Sequence, residues 1–135
     1  MFEEIKGILL LKRFFKAIKG DKYFHPFPFN LKTIVKVLKS KEDIYRFTFF
    51  NNEIVGMWML RGWEEGYKIP SFGMIVHPDF RSRGVGSNML KMAIKACEKL
   101  KCKKIRLTVD KGNPAKRLYL REGFKFKGNV GIKTL

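Results

Sequence analysis

Val76-His-Pro-Asp-Phe-Arg-Ser-Arg-Gly-Val-Gly-Ser87 has the residue types and spacing of an anion-binding turn. An apolar stretch runs into Pro78, and the long apolar stripe of a helix begins after Gly86. Free backbone N–H groups converge where a helix starts, and the helix dipole adds about half a positive charge there. Gly84 and Gly86 would let a bulky phosphate approach the backbone without meeting a Cβ. Arg81 and Arg83 add charge outside. The turn lacks the Gly-Lys-Ser/Thr of a Walker loop, and it lacks the third glycine and distant acid of a dinucleotide fingerprint. Taken alone, it is either a pyrophosphate cradle or a plain strand-to-helix turn with basic residues. The second segment with chemical content is Arg61-Gly-Trp-Glu-Glu-Gly-Tyr-Lys-Ile-Pro-Ser71. Its aromatics suit stacking on a sugar ring, and its carboxylates suit hydroxyls or an ammonium. Otherwise Trp63 and Tyr67 serve the core.

The surrounding patterns say what positions these segments. Helical apolar spacing predicts helices over 2–19 and, capped by Asn30, over 31–40. Between them, Tyr23-Phe-His-Pro-Phe-Pro-Phe29 holds two prolines and is a loop. The β-branched and aromatic runs 44–50 and 54–60 flank Asn51-Asn52 and predict a hairpin. A third strand spans 72–76, and a long helix 84–100. A short buried strand follows at 105–109, then a helix opened by Asn113-Pro114 and ended by Gly123. A last small hairpin is expected over 124–127 and 130–134. This order predicts an α/β (α+β) fold in which a mixed sheet has helices on both faces.

The chain has 135 residues, enough for one domain over 1–135 and too few for two cores. With 29 Lys+Arg against 12 Asp+Glu the net charge is +17. Such a balance favours a polyanion among the ligands, or only a lysine-rich solvated surface. The lysines are spread over nearly every segment rather than clustered with aromatics, so a nucleic-acid partner is not expected. Cys97 and Cys102 match no common metal spacing and read as reduced structural thiols; no metal site is expected. No apolar run approaches membrane-spanning length and the first residues are acidic, so a cytoplasmic protein without a membrane partner is expected.

Arg81-x-x-Gly84-x-Gly86, preceded by Val76-x-Pro78, resembles the coenzyme A turn of the GNAT superfamily of N-acetyltransferases. Ala115-x-x-Leu118-Tyr119-x-x-x-Gly123-Phe124 is similar to that family's tyrosine-bearing helix and Gly-Phe strand start. The resemblance covers roughly residues 44–127 and implies a single N-acetyltransferase domain with a mostly antiparallel central sheet. It implies direct transfer of acetyl from acetyl-CoA, as donor cosubstrate, to an amine. The turn Arg81-Ser82-Arg83-Gly84-Val85-Gly86-Ser87 would hold the pyrophosphate, through its N–H groups and the Arg81 side chain. The pantetheine arm would lie along Ile75-Val76, with the N–H of Val76 polarising the thioester carbonyl. Tyr119 would protonate the leaving thiolate. The family often has a cofactor-touching Asn seven residues before this tyrosine; Gly112 stands there, and Asn113 is either the shifted contact or only a cap.

Glu65 is the favoured base for the amine, with Glu64 and His77 as candidates beside it. His25, Trp63, Glu64, Glu65 and Tyr67 are the expected acceptor contacts. With Phe24-His25-Pro26, the 61–71 loop resembles GNAT proteins of surface-polysaccharide and amino-sugar pathways, implying an amino-sugar acceptor, nucleotide-linked or free. A protein N-terminus or lysine is the alternative within the family. A basic nucleic-acid module or a non-catalytic acetyl-CoA sensor is the alternative outside it. The family's first strand is missing here and the tail after Phe126 is short, so both sheet edges are expected to be incomplete. A homodimer could complete them.

Overall fold

The computed structural model describes residues 2–23 and 30–135; the aromatic-proline stretch 24–29, with His25, lies outside them. Helix α1 (Phe2–Ile18) places Leu11, Phe14, Phe15 and Ile18 on one buried face. Gly20, at φ +91°, follows it, and the Asp21 N–H bonds the Ile18 carbonyl at 3.0 Å. Helix α2 (Leu31–Lys39) is capped by Asn30, whose side-chain oxygen accepts the Thr33 N–H at 3.0 Å.

Strands β1 (Ile44–Phe50) and β2 (Glu53–Arg61) form the expected hairpin. Asn51 and Asn52 turn it at φ 48° and 61°, the left-handed pair that matches strand twist. β3 (Ser71–Val76), β4 (Lys104–Thr108), β5 (Lys125–Lys127) and β6 (Val130–Thr134) complete one six-stranded sheet in the order β1-β2-β3-β4-β6-β5. Only β3 and β4 run parallel. Helices α3 (Val85–Lys99) and α4 (Lys116–Arg121) follow β3 and β4 respectively.

The single core has two apolar layers, one on each face of the sheet. Met57, Met59 and Ile75 face α1, while Trp58, Leu60 and Phe72 share the other layer with Met89, Leu90 and Ala93 of α3. β2 is therefore buried on both faces, which accounts for its almost unbroken apolar sequence. Cys97 is a buried member of the α3 core, and it and Cys102 are free thiols.

One expectation is corrected here. The C-terminal residues do not leave an incomplete edge: β6 lies inside the sheet, paired with β4 on one side and β5 on the other. The edges are β1 and β5. Among the described residues no helix is long and apolar enough to cross a membrane.

Candidate active site

Two parallel strands that separate build the site. β3 and β4 meet in register only at Ser71 and Arg106, where the Arg106 N–H bonds the Pro70 carbonyl at 3.0 Å. Beyond that point they splay. The His77 N–H bonds the Val55 carbonyl at 2.8 Å, which fixes the alternation along β3. His77, Ile75 and Gly73 turn their N–H groups toward β2, so those of Val76, Met74 and Phe72 face the splay. A cavity of about 530 Å³ opens there, lined in part by Met74, Tyr119, Asn113, Arg106, Glu65 and Tyr67.

The turn after β3 leaves a group of backbone N–H donors free at the start of α3. Asn88 makes the first intrahelical bond of α3, to the Gly84 carbonyl at 3.0 Å, which leaves the N–H groups of Val85, Gly86 and Ser87 without helical acceptors. Ser82 and Gly84 hold φ of 61° and 83°. A Cβ on Gly84 would meet nothing within 4 Å, so the space over this turn is open. Arg83 is exposed and lies 5.4 Å from the Phe80 ring.

Tyr119 is 6% exposed and packs edge-on against Phe72 and Phe124, at 6.2 and 5.8 Å. Among the described residues its hydroxyl has no hydrogen-bond partner. Burial pushes its pKa well above the usual tyrosine value. Asn113 lines the cavity and also caps, its side-chain oxygen accepting the Ala115 N–H at 2.9 Å.

Five sequence expectations change. Ile75, expected along the donor, turns its N–H to β2 and buries its side chain against α1. Arg81, expected to hold a pyrophosphate, pairs with Asp21 at 2.7 Å and donates from Nε to the Val76 carbonyl at 3.3 Å. Trp63 packs on the α3 core, away from the cavity. Glu64 is likewise elsewhere: its Oε1 accepts from Ser40 Oγ at 2.6 Å and from the N–H groups of Lys41, Glu42 and Asp43 at 3.2, 3.2 and 3.4 Å. His77 is also taken, its Nδ1 accepting the Asp79 N–H at 3.1 Å. His25 lies outside the described residues. Glu65 and Tyr67 remain at the cavity.

Sequence reasoning missed three contributors. Met74 faces its N–H into the splay at the cavity itself, and strand alternation, once register is known, is the signal for it. Asp21 and Tyr23 tie the chain after α1 to both arms of the splay, through Arg81 and through the Gly112 carbonyl at 3.3 Å. No local pattern announces such contacts.

Glu64 supplies a stability prediction. The Ser40 hydroxyl first, then the backbone donors, hold its carboxyl at about 2, against 4.5 ordinarily. A depressed carboxyl stabilises the fold above its unfolded value and loses that contribution as pH falls through the folded one. Glu64→Gln therefore lowers Tm at pH 7. It also makes the decline of Tm between about pH 4.5 and 2 shallower than in wild type, as acid melts followed by circular dichroism would register. Equal slopes would remove this role.

Comparison with known proteins agrees with this fold. The model of the Acetyltransferase (GNAT) family matches residues 10–124. An acetyltransferase of Pectobacterium atrosepticum is 33% identical over 82 residues, which cover 61% of this chain and 57% of that protein. A GNAT-family acetyltransferase from Streptococcus pneumoniae superposes with a TM-score of 0.77 at 19% identity, over 96% of this chain and 95% of the other. The PaiA N-acetyltransferase of Thermoplasma acidophilum, solved in complex with coenzyme A, gives a TM-score of 0.66 at 16% identity over 97% and 92% of the two chains.

Proposed function

The chain belongs to the GNAT acetyltransferase family, an N-acetyltransferase that takes its acetyl group from acetyl-CoA, and from that premise we propose that its acceptor is the primary amine of an amino-sugar, free or nucleotide-linked. The observation that carries this reading is the makeup of the cavity on the α1 side of the splay. There Tyr23 and Tyr67 offer stacking surfaces, and Glu65 offers a carboxylate to an ammonium or to hydroxyls.

In this reading the N–H groups of Val85, Gly86 and Ser87 hold the donor's pyrophosphate, with Arg83 outside and the exposed Ser82 and Gly84 shaping the turn. The Val76 N–H pairs with the pantetheine arm. The carbonyl-polarising role moves from Val76 to Met74, because Met74 lines the cavity and Val76 does not. An N–H fixed by the strand stabilises the developing oxyanion without reorganising. The amine lone pair attacks the thioester carbon, the C–N bond forms, and the C–S bond breaks with its electron pair going to sulfur. Tyr119 gives its proton to that sulfur, and Glu65 takes the extra proton of the amine. Asn113 borders the same space.

Calorimetric titration with acetyl-CoA, at low and high salt, followed by CoA-thiol release with glucosamine, UDP-glucosamine, a peptide with a free N-terminus and spermidine, tests the reading. Micromolar donor binding that survives salt, with turnover highest for the sugars, is expected. Higher turnover of the peptide would replace the acceptor by a protein N-terminus. Donor binding that vanishes with salt would reduce the cradle to charge alone.

A further inference from the structure

Arg106 is the feature of the cavity that this mechanism leaves unused. Its neighbours Ile105 and Leu107 are 0% and 2% exposed and belong to the α3 core. Strand alternation therefore turns Arg106 to the opposite face, where Ser71 and Met59 line the same cavity. It sits at the closed apex of the splay, with Nη1 donating to Ser71 Oγ at 3.0 Å. The cavity's other guanidinium, Arg61, is engaged with the Tyr45 hydroxyl. Among the described residues no carboxylate pairs with Arg106.

A guanidinium stays charged at any physiological pH, and holding one half-buried without a counter-ion is costly. Its planar fork matches a phosphate or carboxylate bidentately. We propose that Arg106, backed by Ser71, is the anion site of the acceptor: the substrate is an amine that carries a phosphate or carboxylate of its own. The distance suits such a molecule. Met74 lies three residues along β3 from Ser71, roughly 10 Å of strand, and the Arg106 side chain shortens that span toward the length of one phosphorylated sugar. The +17 net charge would draw both an anionic donor and an anionic acceptor. This inference rests on the preceding reading in that the amine enters from the α1 face.

The test uses matched acceptors, glucosamine, glucosamine 6-phosphate and the corresponding aminouronic acid, with wild type, Arg106→Gln and Arg106→Lys. In wild type the anionic sugars should exceed glucosamine in kcat/KM by about tenfold or more, as expected for a charge-assisted pair. Whichever of the two gains more identifies phosphate or carboxylate. Arg106→Gln should bring that ratio to about one and Arg106→Lys should keep part of it, with acetyl-CoA affinity unchanged as the check on folding. Lys99→Gln, an exposed charge at the end of α3, should leave the ratio alone. Ratios that Arg106→Gln and Lys99→Gln change alike would overturn the proposal, since diffuse charge would then explain the preference. If no sugar is acetylated although acetyl-CoA binds, the amino-sugar reading fails, and inorganic phosphate titrated into the CoA-saturated protein decides the anion site by itself. Binding at least fivefold weaker in Arg106→Gln sustains it, and equal binding ends it.

Discussion

Tyr119→Phe is expected to lower kcat about 100-fold, at the low end of what a positioned general acid contributes, with acetyl-CoA affinity and Tm close to wild type. The substitution removes one hydroxyl from a ring whose packing against Phe72 and Phe124 a phenylalanine reproduces. That hydroxyl makes no hydrogen bond among the described residues, so no buried partner is orphaned by its loss. Burial raises its pKa, so it stays protonated past pH 10 and the proton to be donated is always present. A raised pKa also weakens the acid. The thiolate would form against the same buried ring, however, and desolvation there raises its proton affinity in the same sense. Wild-type kcat should accordingly show no alkaline decline from Tyr119 between pH 6 and 10. Stopped assays of CoA release, beside calorimetry of donor binding, separate the effects. A kcat within threefold of wild type would take Tyr119 out of the mechanism and leave proton delivery to water.

Much of the scaffold was legible because its signals are local. The Asn51-Asn52 turn between β-branched runs, the apolar stripe of α3 and the Pro114 helix opening each depend on residues a few positions apart. The free N–H groups at the start of α3 were legible for the same reason, glycines and a helix start being neighbours in sequence. What misled were side chains whose partners are far along the chain. Glu64 is drawn to the turn at Ser40, 24 residues away, and Arg81 to Asp21, 60 residues away. Residue type alone cannot tell a carboxylate that organises backbone from one that meets an ammonium. Trp63 and Glu65 are two positions apart in one loop, yet the first packs on the core and the second reaches the cavity. That split is set by the 3-10 turn over Trp63–Glu65, held between left-handed Gly62 and Gly66. Met74 went unseen because alternation assigns a strand's N–H groups only after one pairing is fixed. Here the bond from His77 to Val55 fixes it.

The cradle makes the last prediction, and it separates binding from chemistry. Gly84 holds φ +83° at the residue that opens α3, with nothing within 4 Å of where a Cβ would stand. A side chain there meets no clash, so its effect comes through the backbone. An L-residue in this region is strained by about 1–2 kcal/mol, and more when β-branched. Gly84→Val should relieve that strain by rotating the turn, which swings the N–H groups of Val85, Gly86 and Ser87 out of convergence. Acetyl-CoA Kd should rise at least about tenfold, the loss of roughly one charge-assisted hydrogen bond. Because the pyrophosphate is remote from the reacting carbon, kcat at saturating donor should stay within about threefold; interactions made equally in ground and transition states move KM and leave kcat alone. Gly84→Ala should show a smaller rise of the same kind. Arg83→Gln gives the contrast: it removes charge without touching the turn, so its penalty should shrink as salt is raised while that of Gly84→Val persists. Calorimetry in low and high salt reads both. A Gly84→Val protein with lowered Tm and unchanged Kd would mean that the turn is only a helix start and that the donor's phosphates are held by surface charge.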